Sequence, residues 1–183
     1  MRRRTAAVLF VCSIALAAGS CSSDDPSVAG SRDTASGDAT PCDLLREGDA
    51  AELLGGKVER IDFAEYLRSK STVSAQDQAQ VEAASKKICM YRVGGSDQTV
   101  ALQLDRGIFK NEEEFRSAFG PDVEVLDEPG LAATYRGASG VSGGTHFGVL
   151  LNAAGDSFDL AVTGVDKSKA ELQKAATQIT SRY

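Results

Sequence analysis

Tryptophan is missing from this chain, and aromatic residues make up only 6% of it. A platform of stacked rings of the kind that holds a sugar is therefore poorly supplied. Histidine occurs once, at His146, which argues against a His-rich zinc hydrolase, because such sites draw several ligands from imidazoles. There is no Gly-x-Ser-x-Gly elbow for a serine nucleophile and no Cys-x-x-Cys for redox or zinc chemistry. Beyond the N-terminus no run of about 18 apolar residues occurs, so no ordinary transmembrane helix is expected there. Bases are the minority: the net charge is −6. Without residues 1–20, which hold Arg2, Arg3 and Arg4 and no acid, 17 bases face 26 acids, a balance of −9. A surface that acidic disfavours nucleic acid and anionic lipid head groups, and its simplest meaning is solubility.

What the chain does have begins at its N-terminus. Arg2-Arg3-Arg4 precedes an apolar stretch from Thr5 to Ala18. That is too short to span a bilayer comfortably and right for a signal-peptide core. Small residues, Ala18-Gly19-Ser20, then lead directly to Cys21. This resembles a bacterial lipobox, with Ala18 where leucine is usual. Residues 1–20 then read as a signal peptide and Cys21 as the acylated first residue of the mature protein. Two acyl chains hold a protein on a membrane where one barely does. The stretch from Ser22 to Pro41 has no aromatic residue and Val28 as its only larger aliphatic. It cannot bury enough surface to fold, so residues 21–41 read as an anchor and flexible tether. Such a tether reaches roughly 25 Å on average.

Cys12 leaves with the signal peptide and Cys21 carries lipid. Cys42 and Cys89 remain, in an oxidising compartment, and an even pair there reads as a disulfide.

Residues 42–183 read as a single α+β domain. A helix is expected from Asp43, as its cap, to Leu54, with Gly55 ending it and Gly48 a possible break. A short strand is expected within 57–61, and residues 64–87 read as a marginal surface helix after Ser74 or a mobile excursion. "ICMYRV" and "TVALQL" read as a hairpin with Tyr91 opposite Leu102. Asn111 should cap a short helix through Phe119. Glu112, Glu113 and Glu114 suit the positive end of that helix better than a cation site. Short strands should follow at 123–126 and 131–136. "GASGVSGG", residues 137–144, reads as a loop and lacks the Gly-Lys-Ser/Thr ending of a phosphate cradle. A second hairpin should pair Phe147 with Leu160, and a final helix from near Asp166 presents Leu172, Ala175, Ala176 and Ile179 as one stripe. The economical assembly is an antiparallel sheet, two hairpins plus short strands, with helices packed on one face.

Candidate chemistry is thin. His146 should point away from the core, opposite Ala161 and diagonal to Asp159, and reads as a solvent-exposed strand residue more readily than as half of a pair. Tyr66, Tyr91 and Tyr135 could line a pocket but read as core or edge residues. Arg92, Arg106, Arg116 and Arg136 share no grouping in their spacing. Paired carboxylates leave a glycosidase-like hydrolase as the weakest reading. The residues call for no catalytic site, no cofactor and no metal.

"PCDLL" (41–45), "AAELLGG" (50–56) and "CMY" (89–91) together resemble actinobacterial surface lipoproteins of uncharacterised function, with Tyr91 where that family usually has tryptophan. "EPGLAATYR" (128–136) matches a later element of the family only in part. The resemblance implies a monoderm envelope, a Cys42–Cys89 bridge and no enzyme activity. The expectation is a membrane-anchored, extracytoplasmic, non-catalytic domain that binds an envelope protein or component. A small-ligand or lipid carrier is the alternative.

Overall fold

The computed structural model describes residues 39–70, 74–119, 124–126, 129–137 and 144–183. The expected signal peptide 1–20, Cys21, the tether up to residue 38 and most of the 137–144 loop lie outside these residues, while Thr40 and Pro41, expected in the tether, belong to the start of the fold. Two short helices open the described chain, α1 (Pro41–Leu44) and α2 (Glu47–Leu54). Thr40 caps α1. Its N–H and its hydroxyl both donate to Asp43 Oδ2, at 2.8 and 2.6 Å, so the expected cap, Asp43, is one turn inside the helix as its reciprocal partner. The break between the helices falls at Leu45 and Arg46, which are extended, and Gly48 lies within α2. Burial explains the position. Adjacent residues of one helix diverge by about 100°, yet Leu44 and Leu45 are both fully buried; interrupting the helix lets both face the core. Gly55 ends α2 in the left-handed region at φ 73°, where glycine carries no Cβ penalty.

β1 (Val58–Ile61) follows, then α3 (Phe63–Lys70) and α4 (Ala75–Ser85). The Ser74 hydroxyl caps α4 by accepting the Asp77 N–H. α3 is an addition to the expected elements. Asp62 starts it by accepting the Glu65 N–H at 2.9 Å, and Ala64 is its buried contact. The remaining elements are β2 (Ile88–Val93), β3 (Thr99–Asp105), α5 (Glu112–Ala118), β4 (Glu124–Leu126), β5 (Ala132–Arg136), β6 (Gly144–Leu150), β7 (Ser157–Thr163) and α6 (Lys169–Thr180).

The strands form one seven-stranded antiparallel sheet in the order β1-β2-β3-β7-β6-β5-β4. The two expected hairpins meet at its centre through β3 and β7. In the second hairpin Phe147 pairs with Leu160, as its alternation predicts. In the first, Tyr91 pairs with Val100 rather than Leu102. The shift is two residues. A strand's side chains alternate with period two, so such a shift leaves every residue on its own face and the hydrophobic pattern cannot detect it. The turn decides instead: the Val93 N–H donates to Gln98 O, the Ser96 hydroxyl donates to Val93 O at 3.1 Å, and Gly95 takes φ 73°.

One face of the sheet is a continuous core. A row of Tyr135, Phe147, Leu160, Leu102 and Cys89 crosses five strands. All but Tyr135 are buried, and Tyr135 packs against them. α1, α2 and α6 cover this face, with Leu53 and Leu54 from α2 and the full Leu172, Ala175, Ala176, Ile179 stripe from α6. The fold is α+β, as expected. The single-face arrangement holds for these three helices and is amended for α5, which packs a second, smaller cluster against the other face: Phe115 and Phe119 against Ala132 and Leu150. Gly148 makes this possible. A Cβ there would lie 2.5 Å from Phe119 Cζ, so only glycine lets the ring rest on the strand. Residues 38–183 form one compact unit.

Candidate functional site

On the face opposite the main core, His146 sits beside Ala161 and diagonal to Asp159. The exposed reading of this histidine gives way to a pair: His146 Nδ1 lies 2.9 Å from Asp159 Oδ2, and the side chains are only 18% and 30% exposed. Gly148, the cross-strand neighbour of Asp159, carries the Phe119 ring. Asp159 Oδ1 and Thr134 Oγ1 are both buried there without a hydrogen-bond partner among the described residues. The pair orients an imidazole. With Nδ1 engaged, Nε2 lies 3.7 Å from the point where a Gly144 side chain would begin, and Thr163 Oγ1 lies 2.9 Å from that point.

The other sequence candidates do not converge. Tyr91 is buried on β2 and Tyr135 stands four strands away on β5; Tyr66 is on α3. Burial pushes the Tyr91 phenol up from its usual value. Arg92 pairs with Glu59 across β1 and β2 at 2.6 Å. Arg116 pairs with Glu112 one turn away, and Arg136 is the cross-strand neighbour of His146. The α5 acids act at the helix start: Asn111 Oδ1 accepts the Glu114 N–H and Glu114 accepts the Lys110 N–H, each at 2.8 Å. Among the described residues no cluster of His, Cys, Asp and Glu is placed to hold a metal ion, and no helix is long and apolar enough to cross a membrane.

A shallow cleft of about 90 Å³ lies between α2 and α6, well below the roughly 300–1,000 Å³ of a ligand pocket. Its charged walls neutralise one another, Lys174 with Glu52 at 2.7 Å and Lys167 with Glu171 at 3.0 Å. Hydrogen bonds from the Ser168 hydroxyl and N–H and from Lys167 hold the Glu171 carboxyl down at about 2.

A polar construction surrounds Ala39 and Thr40, where the expected tether joins the fold. Cys42 and Cys89 form a disulfide, which ties α1 to the central row of the core. Arg106 Nη2 donates to Ala39 O at 2.7 Å, and its guanidinium lies over the Tyr183 ring. The Tyr183 hydroxyl donates to Asp156 Oδ2. Asn152 Nδ2 donates to the same oxygen at 3.0 Å, and the Gly107 N–H donates to Asp156 Oδ1 at 2.7 Å. Burial alone would raise the Asp156 carboxyl; these donors and the Arg106 charge outweigh it and hold it below the usual carboxylate range. One step along, Arg182 donates to Leu44 O at 2.6 Å and grips both oxygens of Asp49 at 2.5 and 2.9 Å. Burial opposes ionisation of Asp49, but Arg182 and the Arg46 N–H prevail and its carboxyl also sits below the usual range.

Sequence reasoning names Arg106 only as an ungrouped cation, and misses Asp49, Asn152, Asp156, Arg182 and Tyr183. Nothing local marks them, since Arg182 and Asp49 are 133 residues apart. The Cys42–Cys89 bridge is the one part of this junction that residue counting finds. Comparison with known proteins adds nothing here: no family model, no curated protein and no solved structure matches the chain.

Proposed function

We propose that this chain is a lipid-anchored extracytoplasmic protein, acylated at Cys21, whose folded domain binds an envelope protein or component without catalysing a reaction. The resemblance to actinobacterial surface lipoproteins belongs to the same proposal. The observation that carries it is the fastening of the fold at Ala39–Leu45. A disulfide, a reciprocal cap, Arg106 and Arg182 all act on the segment that a tether would pull. Without them, tension on the chain would peel off α1, a helix of only 4 residues, because so short a helix has little stability of its own. With them, load passes into β2 through the disulfide.

The test begins with the anchor. Cys21→Ala should move the protein from the membrane fraction to the medium; a variant that stays membrane-bound to the same extent refutes the anchored reading. Crosslinking in cells, with Cys21→Ala as the unanchored control, then addresses binding. A partner captured reproducibly by the anchored form supports a binding domain, and saturating surveys that find none count against it. A small-ligand carrier is the weaker reading, because the cleft between α2 and α6 is too small and its charges are already paired. Native mass spectrometry of envelope-purified protein separates the two, since a carrier would retain a stoichiometric ligand.

A further inference from the structure

We infer that the end of the sheet bearing Ile108 and Leu131 rests on the lipid leaflet that anchors the chain; this rests on the anchored reading above. Ile108 and Leu131 are the two most exposed large apolar side chains among the described residues, at 47% and 53%. They lie at the same end of the sheet. The Ile108 N–H donates to Gly155 O at 3.1 Å and the Leu131 N–H donates to Leu150 O at 2.8 Å, so both flank the closed end of the β6–β7 hairpin. Ala153 and Ala154, at the tip of that hairpin, are also exposed. Scattered surface aliphatics are ordinary, whereas several brought together at one place mark a contact.

The patch is stiff. Gly155 takes φ 86°, and a Cβ there would lie 2.0 Å from Phe109 O, which presses loop 106–110 onto the hairpin. Asp156 fixes the same loop through the Gly107 N–H. Ile108 is thus held outward on a braced loop, and little ordering is left to oppose its insertion. Exposed cations flank it in sequence, Arg106 and Lys110, with Lys86 at the same end, where Lys87 is paired with Asp105 at 3.2 Å. Residues 42–183 carry 16 bases and 22 acids, a net −6, so cations gathered at one end offer lipid phosphates a contact that the acidic remainder of the surface does not. The acids of α5's first turn follow the loop, so the contact consists of the loop tip, the hairpin tip and Leu131, without α5.

The tether explains why so small a patch suffices. Arg106, inside the patch, also holds Ala39 O, so the tether joins the fold at this end. Anchored through Cys21, the domain would be held at an effective concentration in the mM range relative to the surface. Two aliphatic tips that would not recruit a free protein then need only orient one already anchored.

The chain has no tryptophan, so a single introduced one reports depth. The acylated full chain would carry Ala153→Trp at this end, or Gly94→Trp in the β2–β3 turn at the opposite end. Each is placed in phosphatidylcholine vesicles containing phosphatidylglycerol, with brominated acyl chains as quencher. Several-fold stronger quenching at position 153 than at position 94 is expected. Adding Ile108→Ser and Leu131→Ser should abolish the difference while the protein still floats with the vesicles. Equal, weak quenching at both positions in floating protein overturns the inference and leaves the anchor intact. Acylated-fraction protein that fails to float overturns the anchored reading and the inference with it.

Discussion

Reduction of the Cys42–Cys89 bridge should cost the folded domain about 4 kcal/mol. The two cysteines are 47 residues apart. Closing a loop of that length in the unfolded chain removes entropy equivalent to about 4 kcal/mol at 25 °C in the chain-entropy account. Domains of this size are stable by about 5–15 kcal/mol in total, so the bridge contributes a large share. At about 2–4 °C per kcal/mol, the midpoint of thermal unfolding should fall by roughly 8–16 °C. The direct assay is urea unfolding of residues 38–183 followed by circular dichroism, with and without reductant. Reduction leaves both side chains in place, so no cavity complicates the comparison. A Cys42→Ala, Cys89→Ala double variant should behave like the reduced protein or slightly worse, because Cys89 is only 1% exposed and loses its buried thiol. That variant should not respond to reductant. A difference below about 1 kcal/mol between oxidised and reduced protein would refute the reasoning. It would mean that the unfolded chain is already confined between α1 and β2, and that the polar fastening alone secures the junction.

Two further predictions concern acid stability and packing. The Asp49, Asp156 and Glu171 carboxyls are all depressed in the fold, so the stability they contribute is present above their unfolded values and lost as pH falls through the folded ones. For Glu171 that window runs from 4.5 to about 2; urea midpoints measured across it should fall steadily. Asp49→Asn should cost about 1–3 kcal/mol at pH 7 by removing the charged partner of Arg182 and should flatten that fall, and an unchanged acid slope would exclude Asp49 from it. Gly148→Ala should destabilise by about 1–3 kcal/mol through overpacking against Phe119, whereas the same change at Gly94, where an added Cβ meets nothing within 4 Å, should be nearly silent in the same unfolding assay.

The features legible in the sequence divide by the range over which they act. Lipobox, tether and disulfide are read from composition and counting, and the hairpins and the α6 stripe from periodicity. Among these local features, sequence-only reasoning errs where competing patterns are equivalent. A two-residue slip in β2–β3 preserves every face, and the choice between Thr40 and Asp43 as cap is settled by where Leu44 and Leu45 must point. The α3 helix was also legible in principle, since Asp62-x-x-Glu65 carries a capping pattern that the polar character of 64–87 obscured.

By itself, then, the sequence determined the class of the fold, the faces of its strands, the partner of Cys42 and the register of the second hairpin, because each depends on neighbours a few residues away or on a parity that folding cannot alter. Only the tertiary structure decided that β3 and β7 join at the centre of the sheet and that α5 crosses to the second face over Gly148. It alone brought Asp159 to His146, Asp49 to Arg182, and Arg106 and Asp156 to the tether junction. These contacts depend on strand order and on which helix meets which face. Long-range pairings of that kind leave no periodic trace in the chain, since their partners are chosen by the packing of whole elements and not by spacing along the backbone.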